Sequence, residues 1–270
     1  MSIAFLGGGN MAQALIGGLL ARGHEPKSIC VVEVSPAARE RLAARHAVRV
    51  STAPDAAVQA ADTLVLAVKP QDMKAALASV ASSVRGKLVV SIAAGITLAA
   101  LSRWLGGHRN IVRCMPNTPA LIGAGITGLY APPEVGTAER KRAEAILAAV
   151  GEVVWVAEER LLDPVTAVSA SGPAYVFWFI EQLAAAAEKL GIPPAEAGKL
   201  ALHTVLGAAR LAAASGAPPA ELRRNVTSKG GTTEAALKVF EEEKLAERLL
   251  RAIEAASRRG EELGRDLGKD

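Results

Sequence analysis

The chain has 270 residues, 50% of them hydrophobic and 21% charged, a composition ordinary for a soluble globular protein of one large or two modest domains. Net charge is +4, the basic residues are dispersed among acids, and aromatics make up only 3%. That excludes the basic stripe with stacking rings that marks a nucleic-acid binder, and favours an enzyme that takes anionic small molecules.

In chain order, Ile3-Ala4-Phe5-Leu6 reads as a short apolar strand. Gly7-Gly8-Gly9-Asn10-Met11-Ala12 follows and opens a helical run to Leu20. This is G-x-G-x-x-A between a strand and a helix. Gly7 permits the tight turn, Gly9 lets a pyrophosphate approach the backbone, and Ala12 lets helix and strand pack closely. The pyrophosphate then sits at the helix N-terminus, against Asn10 and Met11. The next strand, Ser28 to Val34, carries Glu33 near its end. An acid there binds the adenosine ribose hydroxyls and argues for NAD over NADP. The alternatives are a solvated carboxylate at Glu33, and a 2′-phosphate held by Ser35 and Arg39.

A helix from Ala37 to Arg45, a strand around Val48–Val50 and a helical run from Pro54 to Ala61 come next. Thr63-Leu64-Val65-Leu66-Ala67-Val68-Lys69-Pro70 reads as a buried parallel strand feeding a loop. Ligands of open α/β sheets bind at such carboxyl ends. Lys69 either points toward a nicotinamide or a substrate carboxylate, or is a surface lysine. Leu88 to Ile92 is another buried strand. It ends in Ala93-Ala94-Gly95, small enough for a flat ring to approach. Asn110 to Cys114 leads into Met115-Pro116-Asn117-Thr118-Pro119, a loop stiffened by two prolines. The Asn117 amide either bonds a nicotinamide carboxamide, orders the site, or forms an ordinary turn. A strand at Thr127–Tyr130, a helix from Thr137 to Val150 and a strand at Val153–Val156 complete the alternation. It predicts a doubly wound, Rossmann-like parallel sheet, with a dinucleotide-binding domain over residues 1–160.

From residue 161 to residue 270 no strand is expected. Helices are predicted over Pro164–Leu190, Pro194–Ala214, Pro218–Thr227, Thr232–Glu242 and Leu245–Leu267. Several are apolar on more than one face, which means burial on several sides. The expectation is an all-helical dimerisation domain that interleaves two subunits. Pro173 in Val168-Ser169-Ala170-Ser171-Gly172-Pro173 marks a break or kink. Asn225-Val226-Thr227-Ser228-Lys229-Gly230-Gly231-Thr232-Thr233-Glu234 reads as a glycine turn opening a helix. Its N-terminal N–H groups suit a carboxylate.

Cys30 and Cys114 have no pairing pattern, and four scattered histidines make no metal constellation. No metal is expected. No apolar run reaches membrane-spanning length, and no leader precedes the first strand. A cytoplasmic protein with no membrane partner is the expectation.

With these motifs in place, the chain resembles the pyrroline-5-carboxylate reductases from end to end. The resemblance runs through the glycine turn, Ala67-Val68-Lys69-Pro70, Ser91-Ile92-Ala93-Ala94-Gly95, Met115-Pro116-Asn117-Thr118-Pro119, Ser171-Gly172-Pro173-Ala174-Tyr175 and Asn225 to Thr233. It implies reduction of a cyclic imine to L-proline by NADPH or NADH. It also implies a homodimer through the C-terminal helices, with ring-like decamers as the higher assembly. Asn225, Ser228, Gly230, Gly231, Thr232 and Thr233 are then the substrate contacts, with Thr233 the proton donor. Three departures stand out: Lys229 in place of proline, Ala170 in place of glycine, and Glu33 in place of an Asn-Arg or Ser-Ser pair. A hydroxyacid or imine dehydrogenase of the same fold is one rival. Its alcohol chemistry uses a lysine on the interdomain helix, and Ser169 to Ala187 holds no Lys, Arg or His. A nucleotide sensor without turnover is the other.

Overall fold

The computed structural model describes residues 1–269. Its backbone forms two compact units. One is Met1–Ser171 with the stretch from Ala255 onward; the other is Gly172–Glu254.

The first unit runs β1 (Ile3–Leu6), α1 (Asn10–Ala21), β2 (Ile29–Val32), α2 (Pro36–Arg45), β3 (Arg49–Ser51), α3 (Ala56–Ala60), β4 (Thr63–Leu66), α4 (Met73–Ala78), β5 (Leu88–Ser91), α5 (Leu98–Trp104), β6 (Ile111–Met115), β7 (Gly125–Tyr130), α6 (Thr137–Ala148), β8 (Gly151–Trp155) and α7 (Leu162–Val165). The strands form one sheet in the order β3-β2-β1-β4-β5-β6-β7-β8. Neighbours from β3 to β6 pair in parallel. β7 pairs antiparallel with β6, and β8 runs parallel to β7. The last two strands therefore run against the first six. The link from β6 to β7 is a single 3₁₀ turn, Thr118–Ile122. It is too short for the crossover that a parallel neighbour needs.

Successive side chains of a strand face opposite ways, and β1 feeds both faces. Ile3 and Phe5 join Leu15, Ile16, Leu19, Val31, Ile146 and Leu147 on one side. Ala4 and Leu6 join Val32, Leu64, Leu66, Met73, Leu77 and Leu101 on the other. All four residues of β1, β2, β4 and β5 are buried, which explains their nearly unbroken apolar runs. The helices α4 and α5, six and seven residues long, are too brief to show a period in sequence. For α5 the cap is the better mark: the Thr97 hydroxyl accepts from Ala100 N–H at 3.2 Å.

The second unit contains α8 (Gly172–Lys189), α9 (Pro194–Ser215), α10 (Pro219–Asn225), α11 (Thr232–Glu242) and the start of α12 (Leu245–Leu267), whose later turns belong to the first unit. The helix expected over Pro164–Leu190 is interrupted. α7 passes into a wider π turn, Thr166–Ala170, before α8 begins at Gly172. Pro173 is thus a second-position proline of α8, where its missing N–H costs no bond within that helix. Among the described residues no single helix is long and apolar enough to cross a membrane.

Candidate active site

Sheet order puts the carboxyl end of β1 between those of β2 and β4, the point where winding reverses and ligands of open α/β sheets bind. A cleft of about 690 Å³ opens there. It gathers Gly7, Gly9, Glu33, Ser35, Ala67, Val68 and Lys69 from the expected cofactor set. It is also lined by residues that sequence reading did not single out, among them Thr52, Pro54, Asp72, Ala76 and Ser79. These stand after β3 and along α4 and bear no local signature.

The glycine turn is held tightly. Gly7 has φ +99°, and a Cβ there would lie 2.7 Å from the Ala67 carbonyl oxygen. The turn can come this close to the end of β4 only without a side chain. Gly7 N–H donates to Val32 O at 2.8 Å. Gly8 is gripped through both of its backbone polar groups: its N–H donates to Glu33 Oε2 at 2.8 Å, and its carbonyl accepts from Gln13 Nε2 at 2.9 Å. Gln13 is buried in α1. Its signal in sequence is an amide among the apolar positions of that helix. Gly9 is different: a Cβ there would meet nothing within 4 Å. It is the N-cap of the twelve-residue α1, which has no side-chain cap. The bare turn, the uncapped N–H groups of Asn10 and Met11 and the adjoining cleft fit a dinucleotide pyrophosphate.

The remaining expected cofactor residues lie outside this cleft lining. Pro70 opens the 3₁₀ turn Pro70–Asp72 beside it. Ala93 is buried in the core below the end of β5, and Ala94 follows it. The next residue, Gly95, receives the backbone of α12, where a Cβ on Gly264 would meet Gly95 O at 2.9 Å. Asn117 is buried, and its amide already bridges two elements. Nδ2 donates to Ser169 O at 3.1 Å, and Oδ1 accepts from Ile126 N–H at 2.9 Å. Of its possible roles the structure displays that of ordering the π turn; one Nδ2 hydrogen stays uncommitted.

Arg113 also went unnoticed in sequence, although a charge inside Ile111-Val112-Arg113-Cys114 is itself a signal. It is 5% exposed and pairs with Glu159 at 3.0 Å and Asp163 at 3.8 Å. Glu159 Oε1 also accepts from Leu98 N–H at 2.7 Å, at the start of α5. Burial holds the Asp163 carboxyl above the usual carboxylate range, opposed by Arg113 and reinforced by Glu261 and Glu159.

In the second unit, the expected substrate loop lies between α10 and α11. Asn225 closes α10. Asn225 and Ser228 are exposed, and Thr233 is half-buried as the second residue of α11. Gly230 has φ +75°, a conformation glycine adopts freely. Its N–H donates to Glu234 Oε2 at 2.7 Å, and Gly231 N–H donates to Ser228 O at 3.0 Å. The glycine N–H groups thus hold the turn itself. The first α11 bond runs from Ala235 N–H to Gly231 O, and no side chain caps the helix. The N–H groups of Thr232 and Thr233 stand ahead of the ladder, where a carboxylate binds best. A groove beside this turn is lined by Thr227, Gly230, Gly231 and Glu234.

Two cysteines and two histidines are shifted toward their neutral forms. Burial pushes the Cys30 thiol up to about 11 and the Cys114 thiol further. His46 and His108 are lowered, chiefly by burial, and each has a buried Nε2 with no hydrogen-bond partner. Among the described residues no group of three or more His, Cys, Asp or Glu is placed to hold a metal.

A pyrroline-5-carboxylate reductase of Pseudomonas aeruginosa is 47% identical over 268 residues, covering 99% of this chain and 98% of that protein. The chain belongs to the pyrroline-5-carboxylate reductase family. It is an NAD(P)H-dependent oxidoreductase that reduces 1-pyrroline-5-carboxylate to L-proline. The Escherichia coli reductase is 39% identical over 97% of this chain and 98% of its own length. The family model described as pyrroline-5-carboxylate reductase dimerisation matches residues 159–263. The model described as NADP oxidoreductase coenzyme F420-dependent matches residues 2–95, the part holding the glycine turn and cleft. The solved Coxiella burnetii reductase superposes with a TM-score of 0.92 at 41% identity, covering 97% of this chain and 98% of that one. The Plasmodium falciparum reductase with NADP bound gives 0.84 at 27% identity, with 98% of each chain covered.

Proposed function

We propose a division of roles within that reaction. The β1–β2–β4 cleft holds the dinucleotide: the bare Gly7–Gly9 turn and the N–H groups of Asn10 and Met11 take the pyrophosphate, Glu33 the adenosine ribose, and Ala67–Pro70 the strand end beside it. Bound NADPH or NADH supplies the hydride. The N-terminus of α11 takes the substrate carboxylate on the N–H groups of Thr232 and Thr233, with Ser228 and Asn225 as neighbouring polar groups. Gly230 and Gly231 shape the turn and keep it open to that carboxylate. The Thr233 hydroxyl donates a hydrogen bond to the imine nitrogen, which must carry a proton as hydride reaches the adjacent carbon. The protein's contribution is orientation of one reactant against the other.

One observation carries this reading: a single chain pairs a side-chain-free dinucleotide turn with an uncapped helix start bearing two threonines. The unit holding that helix start also exposes a run of large apolar side chains on α8. This supports a homodimer through the C-terminal helices and decameric assembly from such dimers. Work in the cytoplasm is supported by two free, buried thiols, which suit a reducing compartment. The test is oxidation of NADH and of NADPH on adding 1-pyrroline-5-carboxylate, with L-proline measured as product. Turnover with neither cofactor overturns it, and leaves the non-catalytic nucleotide sensor in its place.

A further inference from the structure

The Glu33 carboxylate is fixed by two backbone donors on different segments. Oε2 accepts from Gly8 N–H at 2.8 Å and Oε1 from Ser35 N–H at 2.7 Å. It thus staples the glycine turn to the start of α2, while Gln13 holds the Gly8 carbonyl at 2.9 Å. Each carboxylate oxygen keeps acceptor capacity beyond its one bond, and Glu33 lines the cleft. We propose that Glu33 is a specificity-determining residue: doubly tethered, it selects a dinucleotide with a free ribose 2′-hydroxyl and rejects one with a 2′-phosphate, making this chain NADH-preferring.

The tether is the new element. An untethered acid can swing aside to admit a phosphate. Here that movement breaks two charge-assisted hydrogen bonds and frees the glycine turn. A 2′-phosphate would bring close to two negative charges against a carboxylate unable to leave. Compensation nearby is partial: Arg39 keeps its positive charge but does not line the cleft. Arg39 directs Nη1 to the carbonyls of Glu33 and Val34, at 3.1 and 2.8 Å. The Ser35 hydroxyl oxygen accepts from Ala38 N–H at 3.4 Å as the cap of α2. Among the described residues lining the cleft, the cation is Lys69. It follows β4, two strands from β2 in sheet order, or about 10 Å away. A 2′-hydroxyl, by contrast, donates to the carboxylate with no charge to offset.

The inference rests on the cleft being the dinucleotide site. The test therefore uses binding alone, by calorimetry of the full chain with ADP-ribose and with 2′-phospho-ADP-ribose. Neither probe contains nicotinamide, so the result is independent of turnover. Wild type is expected to bind ADP-ribose at least about tenfold more tightly. Glu33→Gln keeps an acceptor oxygen and removes the charge. It is expected to reduce the gap to about threefold or less, mainly through tighter binding of the phosphorylated probe. A second measurement needs no variant: raising salt is expected to narrow the wild-type gap, because screening weakens the repulsion. Equal or tighter binding of 2′-phospho-ADP-ribose by wild type overturns the proposal, as does a gap that neither Glu33→Gln nor salt alters. Failure of both probes to bind overturns the cleft assignment itself, whereas a failed imine assay beside selective binding would count only against the reaction.

Discussion

The side-chain amide of Asn117 donates to the carbonyl oxygen of Ser169 at 3.1 Å. The donor is needed because the residue four positions beyond Ser169 is Pro173, which has no N–H to offer. A loop asparagine thus supplies the hydrogen bond that a proline withholds at the π turn. It also ties that turn to β7 through Ile126 N–H. Removing the amide leaves part-buried backbone groups without these partners, at about 1 kcal/mol. Asn117→Ala is expected to lower the melting temperature clearly. In Pro173→Ala a backbone N–H returns, so adding Asn117→Ala to that background should cost less than it does in wild type. Additive melting shifts across the four proteins would refute the compensation.

Gln13 holds the Gly8 carbonyl from inside α1, so its removal is expected to weaken dinucleotide binding through Gly8. Gln13→Met keeps the volume and deletes the donor to Gly8 O. One lost hydrogen bond, about 1 kcal/mol, corresponds to a rise of about fivefold in KM for the dinucleotide. The value of kcat should stay within about twofold, because the reacting atoms are untouched. A fall in kcat at unchanged KM would contradict a positioning role.

Much of the first unit was legible because its signals are local. The Gly7 turn, the β4 run into Lys69 and the acid at Glu33 occupy the places that strand-turn-helix chemistry demands, and the structure gathers them in one cleft. What stayed hidden depends on distant partners. Asn117 meets Ser169 across 52 positions, and Glu159 caps α5 from 61 positions away. The direction of β7 is set by a turn length whose effect shows only when the sheet is assembled. At the second candidate site the loop and helix start were readable. The reach of Glu234 back to Gly230 N–H was not, because a side chain folding back over its own turn leaves no mark in the motif.

Asp163 gives a pH signature. Its folded-state carboxyl lies above the ordinary range, first through burial, and then through Glu261 and Glu159 against the opposing Arg113; Asp163 lines a pocket of its own, apart from the β1–β2–β4 cleft, together with Arg160 and Arg265. A raised carboxyl contributes stability that is present below its unfolded pKa and lost as pH rises through the folded one. At neutral pH the ionised group therefore opposes folding. Relative to wild type, Asp163→Asn should melt higher at about pH 7 than it does at about pH 3.5, where both states of the wild-type group are largely protonated. A variant-minus-wild-type difference that is flat or reversed across that window would show that the Arg113 pairing outweighs burial.

Phe177, Trp178 and Phe179 are consecutive on α8, yet 65%, 59% and 42% exposed. Three consecutive residues sweep about 200° of a helix, more than one packed neighbour covers. A second copy of the chain is the expected cover. Trp178→Glu should weaken self-association by at least about 30-fold, the loss of one aromatic anchor worth about 2 kcal/mol. Sedimentation reads the assembly, and circular dichroism checks that the helices persist. An unchanged oligomer with intact helicity would remove this face from the interface.

Substituting Thr233 tests the proposed separation of chemistry from cofactor binding. It lies on α11, in the unit that does not contain the glycine turn. Thr233→Ala removes the hydroxyl proposed to serve the imine nitrogen and leaves the Glu234 bond to Gly230 N–H in place. Loss of a positioned proton donor costs about 100-fold or more in rate. The expected result is a fall of that order in kcat with unchanged dinucleotide affinity, and recovery of most activity in Thr233→Ser. If Thr233→Ala turns over as wild type does, the proton reaches the imine by another route. If Thr233→Ser is as slow as Thr233→Ala, the methyl group and not the hydroxyl is what the site requires.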